Sequence, residues 1–266
     1  FNISDLTGIE DFIALGWLEC SDNQLTSLDV SQNTALTILY CERNELTSLD
    51  VSQNIALSHL ICNNNQITSL DLSNNPALLL LRCSSNQITT LDVSQNTALS
   101  VFWCDSNFLA TLDLSNNPTL ISLLCGSNLL TSLDLSNNPA LTLLRCDSNQ
   151  IMSLDLSNNH ALTTLDCSYN QLTCLNLRNG NNSNIYSFTS VYNPSLNCIE
   201  VNDPVWATQN WSFANNNIDN GVTFSLDCNY QMECGGSTNL EAKTYVPDDN
   251  FEAYLEDSGM GDGISN

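Results

Sequence analysis

Eight cysteines recur every 21 residues without a slip, at Cys20, Cys41, Cys62, Cys83, Cys104, Cys125, Cys146 and Cys167. A leucine lies five residues before each, from Leu15 to Leu162, and an asparagine three residues after each, from Asn23 to Asn170. A fixed period of this size is the signature of a solenoid, whose turns bury their apolar side chains only against the turns on either side. In Leu18-x-Cys20 and Leu28-x-Val30 the apolar residues are two apart, so both point to one side of an extended segment and the residue between points away. LECSDN and LDVSQN, ten residues apart, are two versions of one half-turn. Each turn is therefore expected to be a flattened coil with two extended sides and two corners. Stacked at ~4.8 Å, eight such turns extend about 40 Å.

The asparagines answer the needs of the corners. A coil that bends inward turns backbone polar groups toward the core, where leaving them unpaired costs free energy. An amide side chain offers donors and acceptors to the turning backbone and to the next asparagine along. Asn23 to Asn170 and Asn33 to Asn159 are read as two structural ladders.

The frame L-x-x-L-x-C-x-x-N-x-L (Leu15, Leu18, Cys20, Asn23, Leu25) is followed by L-D-V/L-S-x-N (Leu28, Asp29, Val30, Ser31, Asn33). It resembles the leucine-rich repeat family, in particular its short, irregular 21-residue bacterial class, in which cysteine replaces a leucine. The likeness runs from about residue 2 to residue 177. It implies a leucine-rich repeat solenoid: a right-handed parallel β-coil with short strands on two sides, few helices and a β-rich C-terminal cap. A parallel strand at Leu18–Cys20 would lie on the ligand-facing side, and the role implied is interaction.

Five regions are expected. Residues 1–14 form a truncated first turn, in which Ile3, Leu6, Ile9 and Phe12 are spaced by three, as a tight helical side requires. This piece resembles the opening turns of internalin-like repeats. The array occupies 15–177. A degraded repeat and cap fill 178–234, where Trp206, Trp211, Phe213 and Phe224 are expected to plug the last turn. Residues 235–242 read as a linker, and 243–266 as the start of a following cap or repeat domain, able to dock head-to-tail on another molecule's open first turn. The chain begins with Phe1 and shows no signal peptide, which suggests a processed or excised piece of a larger protein.

The net charge of −24, with only five basic residues, argues against nucleic acid or anionic membrane as partner. No apolar run is long enough to span a bilayer. Of the twelve cysteines, eight belong to the frame and are read as free, buried thiols, since strand spacing separates their β-carbons too widely for bonding. The other four, Cys174, Cys198, Cys228 and Cys234, are disulfide candidates. Cys198 with Cys228 is the preferred pair, and the fate of Cys174 and Cys234 stays open.

Two outward columns differ in kind. On the second side, Asp29, Asp50, Asp71, Asp92, Asp113, Asp134 and Asp155 hardly vary. Such a row repels itself unless serine hydroxyls or turn amides compensate, or a cation such as calcium binds loosely. No other cofactor is implied. On the first side, the outward residues vary and include large ones: Trp17, Ile38, His59, Leu80, Val101 and Leu143 in one column, and Tyr40, Ile61, Arg82, Trp103, Leu124 and Arg145 in the next. Aromatic, apolar and arginine side chains at solvent-facing positions of an otherwise acidic chain mark a binding patch.

No catalytic constellation is legible, because neither His59 nor His160 has an evident nucleophile as partner. The expected role is that of a non-catalytic, secreted or surface-displayed binding or adhesion module. A protein partner leads, with a glycan on the same face, or a spacer role in a long adhesin, as alternatives.

Overall fold

The structure is a computed structural model describing residues 2–228 and Cys234. The chain divides into two units, Phe1–Gly236 and Ser237–Asn266. The expected linker, the expected domain start at 243–266 and the head-to-tail contact assigned to it lie outside the described residues.

Among those residues, thirteen short strands form two parallel sheets. The first has nine strands: β1 (Trp17–Glu19), β2 (Ile38–Tyr40), β3 (His59–Ile61), β4 (Leu80–Arg82), β5 (Val101–Trp103), β6 (Ser122–Leu124), β7 (Leu143–Arg145), β9 (Thr164–Asp166) and β11 (Ser187–Thr189). Each is three residues long with its central side chain buried. Leucine holds that centre except at Phe102 and Phe188. Cysteine follows each array strand and is also buried, so every turn contributes apolar volume that only its neighbours cover.

The second sheet has four strands, β8 (Ser153–Asp155), β10 (Cys174–Leu177), β12 (Cys198–Val201) and β13 (Thr223–Ser225). It begins only where the period starts to break: the ladder asparagine after Asn170 is Asn193, 23 residues on rather than 21. In earlier turns the L-D-V/L segments form no ladder.

Every array corner after a strand of the first sheet has one construction. The residue before the ladder asparagine takes a left-handed backbone, with φ between 52° and 57° from Asp22 to Tyr169. The asparagine then bonds backbone on two turns. Asn107 Nδ2 donates to Cys83 O and Cys104 O, both at 3.1 Å, and its Oδ1 accepts from Ile88 N at 3.0 Å; in the next turn Asn128 Oδ1 accepts from Leu109 N at 3.0 Å in the same way. This is the expected bonding to the turning backbone; in this first ladder the amide is spent on backbone carbonyls and one N–H rather than on the next asparagine along. The second ladder differs. Asn54 Nδ2 donates to Val30 O at 3.0 Å and to the backbone oxygen of Asn33 at 2.9 Å, while its Oδ1 is buried without a partner.

The first turn extends this scheme backward. Asn33 Nδ2 donates to Ile9 O and Phe12 O, and Asn23 Oδ1 accepts from Ile3 N, so residues 3–12 run as a preceding turn. Its tight side is a 3₁₀ segment, Ile9–Asp11.

The C-terminal cap is β-rich, as expected, with β12 and β13. It carries one helix, α1 (Pro204–Asn210), started by Asp203, whose carboxylate accepts from Trp206 N at 2.9 Å, and by Pro204 at its first position. Trp211 packs against Phe188, Trp206 and Phe224, with ring centroids 4.5, 5.2 and 5.9 Å away. Phe213 is not part of this plug. It lies in the turn closed by Asn217 N–H on Ser212 O, which carries it outward to 59 % exposure. Disulfides join Cys198 to Cys228 and Cys174 to Cys234, while the eight frame cysteines are free and buried.

Candidate interaction face

Because the nine strands pair in parallel without a shift, the outward residues form straight columns. Trp17, Ile38, His59, Leu80, Val101, Ser122, Leu143 and Thr164 are successive partners in one, and Glu19, Tyr40, Ile61, Arg82, Trp103, Leu124, Arg145 and Asp166 in the other. All twelve residues singled out in the sequence thus share one sheet face. Their surroundings vary along it.

At its start, the rings of Trp17 and Tyr40 meet edge to face at 6.4 Å, and Trp17 is 61 % exposed. In the middle, the Arg82 guanidinium carbon lies 3.8 Å from the centre of the Trp103 ring, whose Nε1 donates to Ser122 Oγ at 3.0 Å. Near the far end, Arg145 Nη2 is 3.3 Å from Asp166 Oδ2. Ile61 is a correction. It is buried, at 9 % exposure, because it stands between the larger side chains of Tyr40 and Arg82 in the register, and it supports the face rather than presenting itself. Most other members are half-buried by their column neighbours.

A third column, immediately after the cysteines, lies alongside and escaped the sequence reading. It runs Ser21, Glu42, Asn63, Ser84, Asp105, Gly126, Asp147, Ser168. Ser21 Oγ donates to Glu42 Oε2 at 2.7 Å and Ser84 Oγ to Asp105 Oδ1 at 2.5 Å, so a serine of one turn satisfies an acid of the next. A signal was present: Gly126 is the only glycine between Gly16 and Gly180. Asp105, Leu124, Gly126, Ser127, Arg145 and Asp147 surround a surface cavity of about 140 Å³. Burial pushes the Asp147 carboxyl upward from its ordinary value, the charge of Asp166 adds to this, and Arg145 opposes it.

His59 Nδ1 is 2.9 Å from Ser58 Oγ, but that hydroxyl donates to Thr37 O, and His160 Nδ1 contacts Asn179 O at a corner. The aspartate row on the other side is self-contained. The Oδ1 of every member from Asp29 to Asp155 accepts from the amide of the serine two residues on, at 2.8–2.9 Å. These bonds hold the carboxyls of Asp29, Asp50, Asp71, Asp92 and Asp113 below their ordinary value. Among the described residues, no group of three or more His, Cys, Asp or Glu side chains is placed to hold a metal ion, and no helix is long and apolar enough to cross a membrane.

Three solved structures illustrate what the chain is similar to. Over 75 % of its length it matches the functional domain of InlJ from Listeria monocytogenes, described as including a cysteine ladder, at 35 % identity and a TM-score of 0.57. It spans about half of that domain, 51 %. An internalin (inlF) from the same organism matches 86 % of this chain with 66 % of its own, at 21 % identity and a TM-score of 0.65. The leucine-rich repeat ectodomain of the receptor kinase GASSHO1/SCHENGEN3 from Arabidopsis thaliana, in complex with CASPARIAN STRIP INTEGRITY FACTOR 2, matches 76 % of this chain with 26 % of its own, at 22 % identity and a TM-score of 0.64. At such identities the last two share the fold alone. No family profile matches the chain, and no curated protein does.

Proposed function

We propose that the chain, a leucine-rich repeat protein whose 21-residue turns carry a row of cysteines and which is similar to the InlJ domain with its cysteine ladder, binds a protein through the outer face of the nine-stranded sheet. One observation supports this most: the in-register stacking gathers Trp17, Tyr40, Arg82, Trp103 and Arg145 on one face, while the opposite side repeats aspartate and serine. Half-buried aromatic rings with a stacked arginine supply large contact area at small ordering cost, which is what binding hot spots require. Binding is preferred to catalysis because the one serine–histidine contact on the face has its hydroxyl hydrogen committed to Thr37 O. A secreted or surface location fits the two disulfides, which persist in oxidising compartments.

The test is a paired screen of the wild-type chain and Tyr40→Ala/Trp103→Ala against arrays of purified extracellular proteins and of glycans. A protein captured by the wild type and lost by the variant supports the reading. Loss confined to glycans would replace the protein by a sugar, and equal behaviour on both arrays would leave a spacer.

A further inference from the structure

The geometry points to Arg82 as the anchor for one carboxylate of the protein partner, an aspartate or glutamate side chain held by the guanidinium that lies on Trp103. The inference rests on the binding reading above and adds the chemistry of one contact. The other two arginines of the array are each neutralised by the residue 21 positions away. Arg43 Nη1 is 3.3 Å from Asp22 Oδ1, and Arg145 Nη2 is 3.3 Å from Asp166 Oδ2. The residues one turn from Arg82 are Ile61 and Trp103. Leu80, His59 and Val101 of the adjoining column bring no carboxylate either, and Asp105 of the third column accepts from Ser84 Oγ at 2.5 Å. Among the described residues Arg82 makes no ion pair, in a chain of 29 acidic and five basic residues.

The side chain is nevertheless held in place. Its guanidinium carbon lies 3.8 Å from the centre of the Trp103 ring, and that ring is fixed by its Nε1–H donating to Ser122 Oγ at 3.0 Å. Stacking covers a face of the guanidinium and leaves its in-plane N–H donors to be used. Arg82 Nε is buried without an acceptor. A charged donor is thus withdrawn from water with nothing in the described protein to compensate it, a cost that an acceptor brought by a ligand offsets. The two Nη groups, at the end of the fork, can meet both oxygens of a carboxylate in parallel bonds.

Charge narrows the occupant. A single guanidinium balances one negative charge, and the net charge of −24 opposes a multiply charged group such as phosphate, so a carboxylate fits better. Ile61, Leu80, Val101 and Trp103 surround the arginine with apolar surface. A partner seated there excludes water, and a charge-assisted bond formed beside such surface is stronger than one on an open polar face.

The experiment needs no knowledge of the partner. The full chain, ¹⁵N-labelled, is titrated at neutral pH and constant ionic strength with Nα-acetyl-glutamate methylamide, its glutamine analogue, inorganic phosphate and methyl glucuronide. Saturable shifts of the Arg82 Nε–H and Trp103 Nε1–H signals are expected with the glutamate compound and not with glutamine. Arg82→Gln should abolish the response at Trp103. Arg82→Lys, which keeps the charge but not the fork, should weaken it on the order of tenfold. Trp103→Leu should weaken the response at Arg82 although the charge remains. Arg178→Gln, which removes the same charge away from the face, should leave it unchanged. No saturable shift, equal shifts at Arg82 and Arg178, an equal response to glutamine, a stronger response to phosphate or the glucuronide, or undiminished binding by Arg82→Lys would overturn the proposal. Such a result leaves the protein-binding reading standing on its own array test.

Discussion

At the scale of single residues, the two asparagine ladders look alike in the sequence but differ in what they satisfy. Asn107 accepts from the amide of Ile88, whereas its carbonyl partners Cys83 O and Cys104 O also accept from Asn86 and Asn128, so removing its side chain strands one buried backbone N–H. Asn117 pairs only the carbonyls of Val93 and Asn96 and leaves its own Oδ1 buried and unpaired. A buried group left without its partner costs about 1–3 kcal/mol, and a buried amide oxygen that already lacks one contributes nothing favourable. Asn107→Ala should therefore destabilise the chain by about 1–3 kcal/mol more than Asn117→Ala, although Asn117 is the more completely buried of the two. Urea unfolding of both variants measures the difference, and equal losses would contradict the bonding described for the second ladder.

At the scale of elements, the strands and corners were legible because each repeats one requirement. The L-x-C spacing places two side chains in the core, and the asparagine three residues later closes the corner. The second side was less legible. Its L-D-V/L alternation reads as a strand in every turn, yet a ladder forms only from β8 onward, beside the turns whose spacing departs from 21 residues. The third column of the face was missed because period-two alternation was followed only as far as the cysteine. Phe213 was misplaced because composition shows which aromatic residues are close in sequence, not which way a turn carries them. The aspartate row leads to a prediction about acid. The carboxyls of Asp29, Asp50, Asp71, Asp92 and Asp113 are held below their ordinary value by bonds from serine amides, so the stability these five contribute is complete above about pH 4 and is lost as pH falls through the lowered values. Urea midpoints should be flat for this row between pH 7 and pH 5 and fall below it. The triple variant Asp71→Asn/Asp92→Asn/Asp113→Asn, which keeps an acceptor at each site, should show a shallower acid limb. An unchanged limb would mean that other carboxylates govern acid unfolding.

At the scale of the molecule, a solenoid has no central core, and its stability is a sum of turns and the contacts between neighbours. The ends are then its weak points. Here the C-terminal turns are cross-linked by Cys174–Cys234 and Cys198–Cys228, which close segments of 60 and 30 residues. In the chain-entropy account, links over such lengths stabilise by about 3–4 kcal/mol each through the unfolded chain. The eight frame thiols behave oppositely. Burial pushes Cys20 and Cys62 up to about 12 and the others upward as well, so at neutral pH none presents a reactive thiolate. Mild reduction should therefore release four thiols to alkylation and leave the eight of the ladder unlabelled. Amide exchange should then rise first in β12 and β13 and spread toward β10 and β8, while β2 to β6 stay protected until the chain unfolds. Exchange that rises at both ends together, or ladder thiols labelled alongside the four cap cysteines, would show that the turns are held by a cooperativity longer in range than contact between neighbours.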